Sequence, residues 1–259
     1  MPNYEYDRLY DELEELERKT GITLSNSPTI RVGYEVLSDL PKEKHPKKML
    51  SLDKTKDVGA LAAWLGSQEG VLSWKLDGLT IVLTYEEGKL AKAVTRGNGE
   101  IGEVITSNAR TFENLPLAID FKGELVLRGE AVISYADFEK INDEITDEGA
   151  KYKNPRNLCS GSVRQLNNEI TAQRHVQFFA FSLVSADGVE FKTRNEQFDW
   201  LAERGFQVVE HVSVNAKTIS DTVSAFEAKI ADNPVPSDGL VLSYNDIEYG
   251  RSLGETAKF

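Results

Sequence analysis

Sulfur is nearly absent from this chain of 259 residues, which has one cysteine, Cys159, and two methionines. A single thiol forms no internal disulfide, so a secreted scaffold held by disulfides is excluded, and no set of cysteines exists to hold a structural zinc. Long apolar runs are missing as well. No stretch approaches the roughly 18 uninterrupted apolar residues that cross a bilayer, and the opening MPNYEYDRLYDELEELE is acidic with no apolar segment of a secretion signal. These absences predict a soluble protein of the cytoplasm with no membrane partner. The chain does contain 40% hydrophobic and 28% charged residues, enough for one large domain or two modest ones around real cores.

Positive charge is also in short supply, with 30 Lys and Arg against 42 Asp and Glu for a net charge of -12. Such a chain repels nucleic acid at long range, so any polyanion site has to be local. The distribution is uneven. Residues 1–22 hold seven acids against three bases, whereas 151–175 hold five bases (Lys151, Lys153, Arg156, Arg164, Arg174) against the single acid Glu169.

From Tyr6 the apolar residues recur at Leu9, Tyr10, Leu13 and Leu16, the spacing of an amphipathic helix that Gly21 ends. Residues 22–50, with Pro28, Pro41 and Pro46 and no sustained period, read as a linker laid over a surface. A second helix is expected over about 57–67, with Gly70 beyond its end. Strands follow at Val71 to Lys75 and Leu79 to Tyr85, and Glu86-Glu87-Gly88-Lys89 turns the chain back into Leu90 to Thr95. Further strands are expected at 124–133, 176–184, 207–214 and 239–244. Capping-box spelling at Ser134 with Asp137 and at Thr193 with Glu196 starts two helices, and another spans about 220–231. Hairpins mixed with helices predict an α+β fold of antiparallel sheets flanked by helices.

Several clusters carry chemistry. Lys75-Leu76-Asp77-Gly78 lies at a strand end, where a period of two sets Lys75 and Asp77 on one face and Gly78 lets backbone approach a ligand. Taken alone this spelling fits a surface lysine in a turn equally well. Arg96 stands at the next strand end beside Gly97 and Gly99, which permit close approach to a phosphate or ribose. Arg128 and Glu130 interrupt an apolar strand, and a buried carboxylate there requires a partner or a metal. Asn154-Pro155 opens a helix on which Arg156 and Arg164 sit roughly 80° apart, close enough to face one anion. Ser237-Asp238-Gly239 sets one more carboxylate at a strand entrance.

The ordered series KLDG at 75–78, TRGNGEIGE at 95–103, VLRGEAV at 126–132, NPRNLCSGSVRQL at 154–166 and SDGLVL at 237–242 resembles the adenylation domain of bacterial NAD-dependent DNA ligases. EYDRLYDELEELE and HPKKMLSLDKT are similar to that family's small helical N-terminal subdomain and to the segment joining it to the core. The resemblance implies the nucleotidyltransferase (ATP-grasp-like, DNA-ligase) fold. It divides the chain into a partial N-terminal helical subdomain with linker at 1–44, on the side that binds nicotinamide mononucleotide (NMN), and a nucleotidyltransferase domain at 45–259. It further implies that Lys75 attacks the α-phosphate of NAD, releases NMN and keeps AMP as a phosphoramidate, with nearby cations or partial burial helping the amine lose its proton.

By the same resemblance, Arg96 and Glu130 hold the adenylate ribose and its surroundings, Ser51 and Leu52 touch the nucleotide near the hinge, and Asp77 and Asp238 assist the lysine or a metal. Tyr6 and Asp7 are the remaining NMN contacts. Arg156 and Arg164 lie near DNA phosphates, Mg²⁺ is held largely by phosphate oxygens, and the working state is a monomer acting on nicked DNA in replication and repair.

Departures from the family pattern bear on activity. Ser73 stands where a glutamate contacts adenine, Ser243 where a lysine approaches the α-phosphate, and Asn3 where an aspartate is usual. The chain closes at LGETAKF, before the segment with another phosphate-binding lysine, and the family's OB-fold, zinc module, helix-hairpin-helix region and terminal domain do not follow. The expectation is a fragment of a longer enzyme, or a shortened paralogue, that at best charges itself with AMP. Two alternatives stand beside it: a nucleotide- or DNA-binding module without turnover, and the ATP-dependent branch of the superfamily, which shares K-x-D-G but not the N-terminal segment.

Overall fold

The computed structural model describes residues 40–46, 48, 49 and 52–254, together with Glu12, Glu15, Leu16, Lys19 and Thr20. Those five early residues are helical, within the helix expected from Tyr6 until Gly21. The rest of that helix, Gly21, and residues 22–39 of the expected linker lie outside the described residues.

The linker reading changes at Leu40. Strand β1 (Lys42–Lys44) pairs antiparallel with β5 (Ile101–Glu103). The chain then stays bound to the loop before β5, because His45 N–H donates to the Glu100 carbonyl and Met49 N–H to the Gly99 carbonyl, at 2.8 and 2.9 Å. Helix α1 (Val58–Leu65) starts at Asp57, whose side chain accepts from Gly59 N–H at 2.8 Å. It ends at Gly66, φ 56°, close to the expected end at about 67. Gly70, beyond it, opens a strand, with Leu65 and Leu242 packed where a side chain would be.

Two antiparallel sheets form the body. The first contains β2 (Gly70–Leu76), β8 (His211–Val214) and β9 (Ser237–Tyr244) in the order β8-β2-β9. The second contains β3 (Leu79–Glu86), β4 (Lys89–Thr95), β6 (Leu125–Val132) and β7 (Gln177–Ala186) in the order β4-β3-β6-β7. The β3-β4 hairpin turns on Glu87 and Gly88, both at positive φ (51° and 77°), the twist a two-residue hairpin favours. Among the described residues every strand pair is antiparallel, as the α+β expectation requires, and an isolated bridge from Ala180 of β7 to Val208 is parallel.

The strand expected over 207–214 is shorter, because residues 207–210 divide their backbone bonds between the sheets. Ala180 of β7 donates to Gln207 and accepts from Val209, while Trp74 of β2 donates to Glu210. The segment is thereby a seam.

Helices α2 (Thr106–Ala109), α3 (Tyr135–Glu144), α4 (Pro155–Val163) and α5 (Asn168–Ala172) precede β7, and α6 (Arg194–Glu203), α7 (Ile219–Lys229) and α8 (Ile247–Ser252) follow it. Their starts follow the spelling. Ser134 accepts from Asp137 N–H, Asn154 accepts from Asn157 N–H ahead of Pro155, and Thr193 with Glu196 forms a reciprocal box. The larger core lies on the four-stranded sheet around Ile81, Leu83, Leu125, Leu127 and Phe178, closed by Leu158 and Val163 of α4 and Leu201 of α6. A smaller one lies between the three-stranded sheet and α7, around Leu72, Trp74, Ile219 and Phe226.

Candidate active site

Lys75 occupies the junction of the sheets. It pairs with Gly239 across β2 and β9, and a register shift follows it before the chain turns through Asp77 and Gly78 into β3. Its Nζ lies 2.5 and 2.7 Å from the two carboxylate oxygens of Asp238. Cations or burial were expected around this amine. The structure sets on it one of the two carboxylates expected to assist it and leaves the side chain 36% exposed, because Asp238 immediately precedes the residue that faces Lys75 across the strands. Asp77 engages Arg156, whose Nη1 is 2.8 Å from Oδ1, and so ties the start of α4 to the Lys75 turn.

The glycines have structural duties that their spelling did not reveal. A Cβ on Gly78 would fall 1.9 Å from the Ala131 carbonyl of β6. The missing side chain therefore allows close backbone packing at a residue that also lines the cleft described below. Gly97, at φ 56°, is likewise fixed by the Ile101 carbonyl, 1.9 Å from its imagined Cβ.

Glu130 faces Thr80 across β6 and β3 and is 9% exposed. One carboxylate oxygen accepts from Gly78 N–H at 3.1 Å and the other from the Thr80 hydroxyl at 2.8 Å, partners that make its burial tolerable. Burial nonetheless pushes its pKa up to about 7, against the Thr80 and Gly78 hydrogen bonds and the Arg156 charge; Asp77 adds to the rise.

Around this carboxyl opens a cleft of about 320 Å³ that gathers Arg96, Gly97, Glu130, Arg156 and Arg164 with Gly78 to Thr80, Asn157 and Ser160. Arg96 is held through its N–H to the Thr80 carbonyl at 2.9 Å and its guanidinium to the Met49 carbonyl at 3.5 Å. Arg164, just past the end of α4, bonds Glu103 at 2.7 Å and Ser160 at 3.0 Å. The two arginines expected on one anion thus share one cleft. Lys75 and Asp238 do not line it; the Asp77-Arg156 pair connects them to it.

Other expected residues fall elsewhere. Ser73 is buried on β2, opposite both Val241 and His211, and Ser243 lies opposite Val71 on the same sheet. Leu52 is 49% exposed, while Ser51, Tyr6 and Asp7 lie outside the described residues. Thr80, Asn157, Ser160 and His45 had no forecast. Only Thr80 had a signal, as a polar residue alternating with the core positions of β3. Buried His45 accounts for the placement of Arg96, since its Nε2 sits 3.1 Å from the carbonyls of both Thr95 and Arg96. Among the described residues, no group of three or more His, Cys, Asp or Glu could hold a metal. Three guanidinium groups around a buried carboxyl, beside an amine in contact with a proton acceptor, suit a phosphate-bearing nucleotide and an attack on it.

The sequence model of the family described as NAD-dependent DNA ligase adenylation domain matches residues 37–259. A DNA ligase of Lachnoclostridium phytofermentans is 65% identical over 260 residues, covering all of this chain and 40% of that protein. One of Ruminiclostridium cellulolyticum matches to the same extent, and one of Helicobacter pylori is 37% identical over 98% of this chain and 40% of its own length. The chain therefore spans about two fifths of these relatives. An archaeal ATP-dependent RNA ligase of known structure superposes at TM-score 0.47 with 14% identity, over 78% of this chain and 46% of that one.

Proposed function

This chain belongs to the NAD-dependent DNA ligase adenylation-domain family, and we propose that it performs self-adenylation on Lys75. A bond forms between Lys75 Nζ and the α-phosphorus of NAD, the bond from that phosphorus to the bridging oxygen breaks, and NMN departs with the electron pair. The amine must first shed a proton, and Asp238, in contact with it through both carboxylate oxygens, receives it. Arg96 and Glu130 hold the ribose side of the nucleotide, with Ser51, Leu52 and Ser73 toward the base and Tyr6 and Asp7 toward NMN. Ser243 leaves the α-phosphate with one cation fewer than the family pattern provides.

The donors present fit magnesium only as a partial ligand set, since Asp77 and Asp238 each already bond a cation. One of them would hold the ion beside phosphate oxygens, and when bound it neutralises charge developing on the phosphoryl group. Within the longer protein, AMP then passes to the 5′-phosphate of nicked DNA, steered by Arg156 and Arg164. The domain division at residues 44 and 45, the monomeric state and a cytoplasmic location belong to the same proposal.

The Lys75-Asp238 contact carries this reading. Intact mass after incubation with NAD and Mg²⁺ tests it: one AMP adduct is expected, absent from Lys75→Ala, absent when ATP replaces NAD, and discharged by added NMN. Equal labelling of Lys75→Ala, or nucleotide binding without any adduct, overturns it.

A further inference from the structure

Resting on that reading and extending it, we propose that the face of β1, with the segment just after it, is a track for the phosphodiester backbone of the duplex beside the nick. In a chain of net charge -12, residues 42–56 contain six lysines against two acids, Glu43 and Asp53. Their arrangement keeps this charge from cancelling. Lys42 and Lys44 point to one face of β1 and are exposed, while Glu43 points to the other and is spent on Lys92 at 2.7 Å.

The acids on the paired side are neutralised as well. Glu103, opposite Lys42, bonds Arg164 at 2.7 Å, and Glu100 bonds Lys48 at 2.8 Å. Lys48, with Lys44 farther off, holds the Glu100 carboxyl below the usual carboxylate range. Lys42, Lys44, Lys54 and Lys56 are exposed and form no ion pair with any described residue.

Continuity selects the occupant. The Glu103-Arg164 bond joins the Lys42 end of β1 to the rim of the cleft, so a polyanion with one phosphate at Arg156 and Arg164 continues onto Lys42 and Lys44. A duplex is such a polyanion. Its charges contact exposed lysines without base readout, in the salt-dependent manner of counterion release.

The test follows a labelled nicked duplex by anisotropy over a salt series, with the full chain and with Lys42→Gln, Lys44→Gln, Lys54→Gln and Lys56→Gln combined. Affinity at low salt should fall about tenfold or more, and the slope of log affinity against log salt should flatten by about 0.9 for each phosphate that the protein no longer neutralises. The AMP adduct by mass and the melting midpoint should not change, and Lys217→Gln, at an exposed site outside this segment, should leave the slope intact. An unchanged slope in the fourfold variant, no duplex binding by the unsubstituted chain at low salt, or binding to anionic vesicles in preference to duplex overturns the track. Loss of the adduct in the unsubstituted chain overturns the Lys75 reading instead, so the two failures are distinct.

Discussion

Two strands beside Lys75, β6 of the four-stranded sheet and β9 of the three-stranded one, are built to different standards. In the four-stranded sheet, six of the eight residues of β6 are buried, and Leu125, Leu127, Ala131 and Val132 are sealed from solvent. In the three-stranded sheet, β9 buries only Tyr244 of its eight residues, and Asp238 is exposed. The well-packed strand supplies the fixed side of the proposed site, with Glu130 held by the Gly78 N–H and the Thr80 hydroxyl. The thinly packed strand is β9, which carries Asp238; Lys75 faces its start from the end of β2, whose first five residues are buried, and the two form the proposed reacting pair. A holding group gains from immobility, whereas an amine that must give up a proton and accept a phosphoryl group needs an accessible partner and room to move.

The largest test of that division is chemical. Asp238→Asn should slow AMP-adduct formation about 10²- to 10⁴-fold, the usual loss of a positioned general base. It should alter stability by less than about 1 kcal/mol, because the pair is solvent-exposed. Single-turnover mass kinetics beside a denaturant titration separates the two effects. A stability loss without a rate loss would make Asp238 a strut and break the comparison.

Packing provides the next test. Leu127→Ala, at a site with 0% exposure, should cost about 2–5 kcal/mol, whereas Leu242→Ala on half-buried β9 should cost about 1–2 kcal/mol because its cavity opens toward water. Equal losses by denaturant titration would mean that the two strands are equally tight.

Much of this contrast was legible in the sequence. Alternation located β3 and β6, the Glu87-Gly88 pair located the hairpin, and Asn154-Pro155 located α4, because each depends on bonds between chain neighbours. The motif order brought Arg96, Glu130, Arg156 and Arg164 to one cleft. What stayed hidden depends on distant strands. The pairing of Lys75 with Asp238 in preference to Asp77 follows from the β2-β9 register. The carbonyl on β6 that also requires Gly78 to lack a side chain was not visible. The seam at 207–210 and the fastening of β1 by His45 require both partners in place, and no local spacing encodes either.

Glu130 sharpens the comparison through pH. Its pKa in the folded state, about 7, lies above the 4.5 ordinary for a glutamate, so between those limits the unfolded chain releases a proton that the folded chain keeps. Stability from this group therefore falls as pH rises from about 4.5 to about 7 and is level above. Glu130→Gln should remove the fall, gaining on the unsubstituted chain by roughly 3 kcal/mol between pH 4.5 and pH 8. Thermal or denaturant titrations of both proteins over that range measure the gain. A pH-independent difference between the two would show a carboxyl as free to ionise as an exposed one, contrary to a fixed holding side.

The smallest effect lies at the joint. Arg156 is 58% and Asp77 29% exposed at the side chain, so their bond sits in water, and a double-mutant cycle of Arg156→Gln with Asp77→Asn should show a coupling of about 0–1 kcal/mol in unfolding. The turn between the sheets is then fastened by its backbone, the Gly78-Glu130 hydrogen bond and the 207–210 seam, and a phosphate arriving at Arg156 can displace Asp77 at small cost. A coupling of about 3 kcal/mol would instead lock the turn to α4 through this pair. The accessibility of Lys75 would then have to be explained without any looseness in the turn that follows it.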